Sequence, residues 1–503
     1  MTFLAKNFQR IILLLIAYFP LFLHLDTMPY RIWDESRLAV SAFEMLHTHN
    51  YWVVTFGDAP DLWSVKPPLM IWVIAISFKL LGYNALGLRL PSALFGLATV
   101  LVIYDFCRKD LRNPLLSFLS VFVLVTTAGY MDYHVTRTGD YDALLILCQT
   151  LFVMHFARHH FLNTHPSKNL YWSAFWLALA LMTKGVAALF LLPSLVICLL
   201  LEGKLILYLK NKHTYIAVMI AFTPILAYFG WREHLSTGYL QAVWDMELFN
   251  RYLQGDGDAH IIQQSLLEKI EHYWDSLYDT DFKPWLYLLP VSIISIYQLP
   301  NVFHRKILLF FLCNVLTIIL LITFSSSKKG WYEAPIYPYL AILVGQGLVW
   351  LVPFFEIILQ NNKHFVVKCG LWSMIMLFLA APYWRIFKKF HGNTDHLYEW
   401  EQRQYTPFMS EIGKKMDYFV LQTGYNAAIE FVKKVSNEES SFKTHTMSVR
   451  DTQLYPKHIK MGAKVMCCEQ EARDSLNQYF IYKTIDNQRT CVLVEIVGLK
   501  TPP

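Results

Sequence analysis

The chain has 503 residues, 55% of them apolar and only 16% charged, with a mean hydropathy of +0.33 and a net charge of +6. Soluble domains carry about 25% charged residues, so this chain cannot cover itself with polar groups in water and reads as a polytopic membrane protein. So small a charge over this length is no nucleic-acid footprint; it describes which loops hold the basic residues. Fifteen Trp and 29 Tyr suit membrane interfaces, where amphipathic rings settle.

In chain order, Lys6 and Arg10 precede a first apolar run. No small-residue cleavage site follows, so the run reads as an uncleaved first span. Runs of roughly spanning length lie at 9–27, 91–107, 114–131, 142–158, 170–183, 185–201, 214–231, 284–300, 306–324, 334–352 and 365–383. The expectation is a mainly α, polytopic bundle of about 11–13 spans. The stretch 67–82, PPLMIWVIAISFKLLG, is too short and is assigned to a re-entrant or interface-lying helix. With the N-terminus inside, the cytoplasmic loops are then 107–114, 157–169, 202–213, 300–306 and 360–364, and every one carries basic residues, as the positive-inside rule demands. Counting 67–82 as a span would put CRKDLR outside. From about residue 385 the sequence turns polar, with patches such as YFVLQ and CVLVEIVGL. The division expected is a membrane domain, 1–384, and a small extracytoplasmic α/β domain, 385–503, with interfacial helices in the first external loop.

Unusual charges gather on the external side. Asp34, Glu35 and Arg37 follow the first span; Lys66 stands before two prolines. Asp140 and Asp142 open the fourth span, Lys184 separates two runs, and Glu247, Arg251 and His260 lie in the longest external loop. Lys328, Lys329 and Tyr332 precede a late span. Each has a bland reading. Asp34 fits an N-cap for a helix over 35–46, Asp142 fits a cap for its span, Lys66 fits a snorkelling lysine, and Tyr332 fits an aromatic belt. Ionisable groups at membrane depth are nonetheless costly, and functional by default. Cations beside carboxylates at an outer membrane surface suit an anionic lipid substrate: Lys and Arg take a phosphate, while an Asp serves as general base or orients an acceptor hydroxyl. No Gly-rich phosphate loop is present, so an activated donor on this side must arrive on a lipid.

Six motifs in order carry a resemblance: Asp34-Glu35 with Arg37, Lys66-Pro67-Pro68, DALL from Asp142, TKG around Lys184, Arg251-Tyr252, and YEAPIYP from Tyr332. Together, over residues 1–350, they resemble the polytopic lipid-linked glycosyltransferases of the C-type fold, specifically the bacterial aminoarabinose-transferase-like group, relatives of protein O-mannosyltransferases. The resemblance implies transfer of a sugar from a polyprenyl (undecaprenyl-type) phosphate, with inversion, to an acceptor outside the cytoplasm: lipid A, another lipopolysaccharide or envelope glycan, or protein. It implies a bacterial inner membrane location. It assigns the carrier phosphate to Lys66, Arg251 and Tyr332, with Lys184 and Lys329 as further cations. Asp34 becomes the essential carboxylate, with Glu35, Arg37 and Asp142 in the catalytic pocket.

Two positions depart from the group. Glu often precedes the motif Lys, where this chain has Val65, and His often follows the loop acid, where it has Leu248. Those positions supply metal ligands in relatives, so no cofactor is required here; Glu247 with His260 is the alternative metal pair. Five cysteines lie in or beside spans, while Cys467, Cys468 and Cys491 lie in the C-terminal region, where Cys491 can pair with either neighbour of the adjacent pair. A lipid-carrier flippase or transporter is the competing class. It should show Gly/Pro-broken spans in corresponding halves and midplane charges; this chain has interfacial charges and no repeat.

Overall fold

The computed structural model describes residues 3–254, 266–361, 365–391, 400–412, 415–450 and 458–500. Two compact units emerge from it: Met1–Leu23 with Asp61–Met70 and Arg89–His391, and His24–Pro60 with Ile71–Leu88 and Gly392–Pro503.

The first unit is helical. Six helical stretches among the described residues are long and apolar enough to cross a membrane: Ala85–Asp110, Pro166–Leu201, Lys212–Leu235, Val302–Phe324, Gly330–Gln360 and Val367–Phe390. The chain is a multi-pass membrane protein. Shorter apolar helices are Phe8–Phe22, Leu69–Leu81, Pro114–Val125 and Trp285–Tyr297. The eleven runs do not map one to one. Those at 170–183 and 185–201 belong to one stretch, interrupted where Gly185 takes φ 55°, a conformation L side chains rarely adopt. There the helix Pro166–Lys184 gives way to a 3-10 segment, Gly185–Leu191, before Leu192–Leu201. The run at 114–131 keeps helical form only to Val125.

Local chemistry starts the helices. Asn113, Asn211 and Asn301 each turn a side-chain oxygen onto the first free amides of Pro114–Val125, Lys212–Leu235 and Val302–Phe324, satisfying donors that have no helical partner. Close packing needs small residues. A Cβ on Gly345 would stand 2.5 Å from the Ser120 hydroxyl oxygen, and one on Gly347 2.5 Å from that of Ser292.

One end of this unit is laced by ion pairs. Arg158 grips Asp110 through Nε and Nη2, the latter at 2.7 Å. Glu202 takes Lys204 and Lys306 at 2.7 Å each and His160 at 3.1 Å. Asp105 takes Arg10 and Lys109 at 2.8 Å each.

The second unit is built on a five-stranded sheet, β3 Tyr418–Gln422, β4 Thr444–Ser448, β5 Lys464–Cys467, β6 Phe480–Gln488 and β7 Cys491–Leu499, ordered β4-β3-β5-β7-β6; β1 and β2 form a two-residue ladder, Thr55–Phe56 with Ala59–Pro60. β3 runs parallel to β4 and β5, while β7 runs antiparallel to β5 and β6. Leu421, Val465, Leu476, Phe480, Val494 and Ile496 fill its core. The register Cys467↔Val492 sets Cys468 opposite Cys491, and these two form the disulfide. Cys467 stays a buried thiol, pushed up to about 12 by burial.

This unit also holds residues 24–60. Asp34–Thr48 is helical, covering the helix expected over 35–46. It packs on Ala427–Glu439, where Lys434 bridges Glu44 at 3.1 Å and Asp58 at 2.8 Å. Phe78 stacks on Phe431 at 5.7 Å, and Tyr30 meets the same ring edge-on.

Candidate active site

Four sequence motifs meet in the helical unit. Lys66 is 9% exposed and holds its ammonium 5.0 Å from the centre of the Tyr141 ring, an attractive contact once water is excluded. Burial removes the reading of Lys66 as a lysine snorkelling to water. Tyr141 leads into the helix Asp142–His160. Asp142 is the first residue of that helix and makes no capping bond; its carboxylate instead accepts Lys184 Nζ at 2.6 and 2.7 Å. Both partners are buried. Lys184 lies where Gly185 stops its helix, and its ammonium is 5.8 Å from the Tyr332 ring centre.

The segment before Asp142 adds residues that the motifs did not flag. His134 Nδ1 is 2.7 Å from the Asp140 carboxylate, and its ring stacks on Trp331 at 3.9 Å. Burial opposes ionisation of Asp140, but the bond and charge of His134, the charge of Lys184 and the Tyr141 amide outweigh it and hold the carboxyl below its usual range. Arg137 donates to the carbonyl oxygens of Pro20 and Leu23 and covers the Phe390 ring at 4.2 Å. Lys328 is buried, donates hydrogen bonds to the carbonyls of Ile322 and Thr323 and so closes the helix Val302–Phe324. Lys329 is exposed.

Residues 236–254, which follow the helix Lys212–Leu235, belong to the same unit. Tyr239 donates to the Val65 carbonyl at 2.8 Å, one residue before Lys66. Burial raises the Tyr239 hydroxyl far above its ordinary value, so it acts as a donor, never as an anion. Glu247 is buried in the helix Trp244–Gln254. Only the backbone of Arg251, in that same helix, is described, and His260 lies outside the described residues. Val65 offers its carbonyl alone, already taken by Tyr239, and Leu248 offers no donor. The two metal-ligand positions of the resemblance therefore do not fit a metal.

The acidic motif sits in the sheet-containing unit. Trp33, not Asp34, occupies the cap position of Asp34–Thr48, and no side-chain capping bond forms. Asp34 is half-buried and accepts no hydrogen bond among the described residues. Glu35 is buried and accepts the Arg31 amide at 2.9 Å. Arg37 donates to the Tyr425 hydroxyl at 2.8 Å and lies 4.2 Å over Phe56. Trp33 packs against the same tyrosine, at 4.6 Å.

Known proteins supply the comparison. The family model described as dolichyl-phosphate-mannose-protein mannosyltransferase matches residues 65–231. The structure of ArnT from Cupriavidus metallidurans bound to undecaprenyl phosphate superposes with a TM-score of 0.67, covering 97% of each chain at 15% identity. The fold is that of an aminoarabinose transferase. Among curated relatives, undecaprenyl phosphate-alpha-4-amino-4-deoxy-L-arabinose arabinosyl transferase 1 of Pseudomonas fluorescens (strain Pf0-1) is 25% identical over 76% of this chain and 64% of its own length. Its counterpart in strain ATCC BAA-477 / NRRL B-23932 / Pf-5 is 29% identical over 67% of this chain and 59% of its own. The chain thus spans less than two thirds of the length of these relatives. A polyprenol-phosphate-mannose–protein mannosyltransferase of Mycolicibacterium smegmatis is 28% identical over 23% of this chain and 21% of its own length. The resemblance drawn from the motifs to lipid-linked glycosyltransferases is borne out.

Proposed function

We propose that this chain is a glycosyltransferase that moves a sugar from a polyprenyl phosphate carrier to an acceptor outside the cytoplasm. The observation that carries the reading is the buried Lys66, facing the Tyr141 ring beside the Asp142–Lys184 pair, in a fold shared with a transferase bound to undecaprenyl phosphate.

The acceptor oxygen attacks the anomeric carbon from the face opposite the phosphate. The bond from that carbon to the phosphate oxygen breaks, and its electron pair leaves with the phosphate. The acceptor proton passes to a carboxylate, for which Asp34 is the choice. Lys66, Arg251 and Tyr332 hold the phosphate and stabilise the charge developing on it. Lys329 adds a distant positive charge. Lys184, paired with Asp142, holds that side chain in place for the sugar hydroxyls, while Arg37 and Glu35 shape the acidic motif around Asp34. Neutralisation of the phosphate by lysine and arginine needs no cofactor.

An envelope glycolipid or glycan is the acceptor favoured by the aminoarabinose-transferase likeness. The mannosyltransferase model over 65–231 supports a second reading, with protein Ser or Thr as acceptor. Basic loops at 107–114, 157–169, 202–213 and 300–306 favour a cytoplasmic N-terminus. The Cys468–Cys491 disulfide favours an oxidising compartment for the sheet, consistent with a periplasmic C-terminal domain and active site.

The test is transfer from a radiolabelled mixture of polyprenyl-phosphate sugars into membranes that contain the wild-type protein or Asp34→Asn. Label reaching an acceptor with wild type alone supports the assignment, and its extraction as lipid, glycan or protein names the acceptor class. Equal labelling by a correctly inserted Asp34→Asn removes Asp34 from the chemistry. Carrier binding without transfer by either protein moves the function to a flippase.

A further inference from the structure

Buried arginines in the helical unit are satisfied, with one exception. Arg137 has two backbone carbonyls, and the partly exposed Arg158 has both oxygens of Asp110. Arg232 is 1% exposed, and its Nε, Nη1 and Nη2 are all without a hydrogen-bond partner among the described residues. Among the described residues, no other arginine has all three nitrogens in that state. A guanidinium is always charged and carries five donors in a fixed fork, so leaving it buried and unanswered carries a large desolvation penalty.

The surroundings say what is missing. Arg232 lies in the last turn of Lys212–Leu235, with its guanidinium carbon 5.0 Å from the centre of the Tyr239 ring. Tyr228 meets Tyr239 edge-on at 6.1 Å, and its hydroxyl lies close enough to the guanidinium to feel its charge, so the cation is flanked by two tyrosines. Aromatic faces hold a cation in place and leave its donors unused. The hydroxyl of Tyr239 bonds the Val65 carbonyl, which ties this platform to the residue preceding Lys66. Of the nearby acids, Glu233 accepts the amides of Gly238 and Leu240 and feels the charge of Arg232, and the buried Glu247 acts on Tyr239, but no carboxylate is hydrogen-bonded to the guanidinium among the described residues.

We propose that Arg232 is a phosphate-binding residue: its fork takes two oxygens of a lipid-borne phosphate, as a second buried cation linked through Tyr239 to the Lys66 segment. The inference rests on the polyprenyl-phosphate reading above. The same chemistry has two sources, the phosphate of the sugar carrier and a phosphate on a glycolipid acceptor.

The experiment uses the full chain in nanodiscs, as wild type, Arg232→Gln and Arg232→Lys, with loading by three lipids read by native mass spectrometry. The probes are undecaprenyl phosphate, undecaprenol and diphosphoryl lipid A. Wild type should take up undecaprenyl phosphate, and Arg232→Gln should lose about tenfold or more of that affinity, the scale of charge-assisted hydrogen bonds. Arg232→Lys keeps the charge but not the fork, so it should fall between the two and serves as the reporter if the glutamine variant does not fold. Undecaprenol uptake, which involves no phosphate, should be the same in all three. Loss confined to lipid A supports the phosphate site and gives it to the acceptor. Two results overturn the proposal: variants that bind both phosphate lipids like wild type, or variants that lose undecaprenol in parallel with undecaprenyl phosphate. Wild type that binds neither phosphate lipid removes the carrier reading as well, whereas wild-type-like variants remove the role of Arg232 alone.

Discussion

The charges of the helical unit are treated in two ways. Around Asp105, Asp110 and Glu202, every carboxylate holds a cation at 2.7 or 2.8 Å, and nothing is left over for a ligand. Around Tyr141 and Tyr239, by contrast, Lys66 and Arg232 are buried against aromatic rings. Paired charges join helices; a buried cation set on a ring and given no carboxylate waits for an anion. On the proposed function, the first set serves the fold and the second the substrate.

Substitutions can break or sharpen that contrast. The largest loss of stability belongs to Lys184→Leu, which strands the buried Asp142 carboxylate. Breaking such a pair costs about 3–5 kcal/mol, so the thermal midpoint of the purified protein should drop sharply, and adding Asp142→Asn should restore much of it. Lys66→Met should do the reverse. Its thermal midpoint should hold or rise, while transfer falls on the order of 10²–10³-fold, the loss seen when one donor to a developing anion is removed. Arg158→Ala, at the paired end, should lower stability by about 2 kcal/mol and leave transfer per folded molecule unchanged.

The smallest effect is one of pH. Lys204, Lys306 and His160 outweigh the burial of Glu202 and hold its carboxyl down to about 2, against 4.5 ordinarily. Its folded value is depressed, so its contribution is complete above pH 4.5 and is lost as pH falls through about 2. Melting curves of wild type and Glu202→Gln should differ most at neutral pH and converge on acidification below 4.5. A gap that widens in acid would contradict this sign.

Much of this was legible in the sequence because charge inside apolar runs is conspicuous. Lys66, Asp142 and Lys184 stood out for that reason, and so did the helix following Asp34. Arg232 did not, since a Trp-Arg-Glu step at the end of an apolar run looks like any span leaving the bilayer; only its missing partners distinguish it. His134 sits in a loop without periodicity. The capping roles considered for Asp34 and Asp142 failed on backbone geometry, as each is the first helical residue rather than the one before it. The core shared by residues 24–60 and the C-terminal sheet rests on pairs such as Arg37 with Tyr425, 388 positions apart, which no local pattern announces. The choice between Cys467 and Cys468 was a matter of strand register.

Direct displacement with phosphate as the leaving group makes one demand that neither fold nor binding can imitate. The product made by the purified wild-type protein from an anomerically defined polyprenyl-phosphate sugar should be examined by nuclear magnetic resonance at the anomeric centre. The account predicts inverted configuration, with one free polyprenyl phosphate released per sugar transferred. Retained configuration, or carrier bound without release of phosphate, would contradict it.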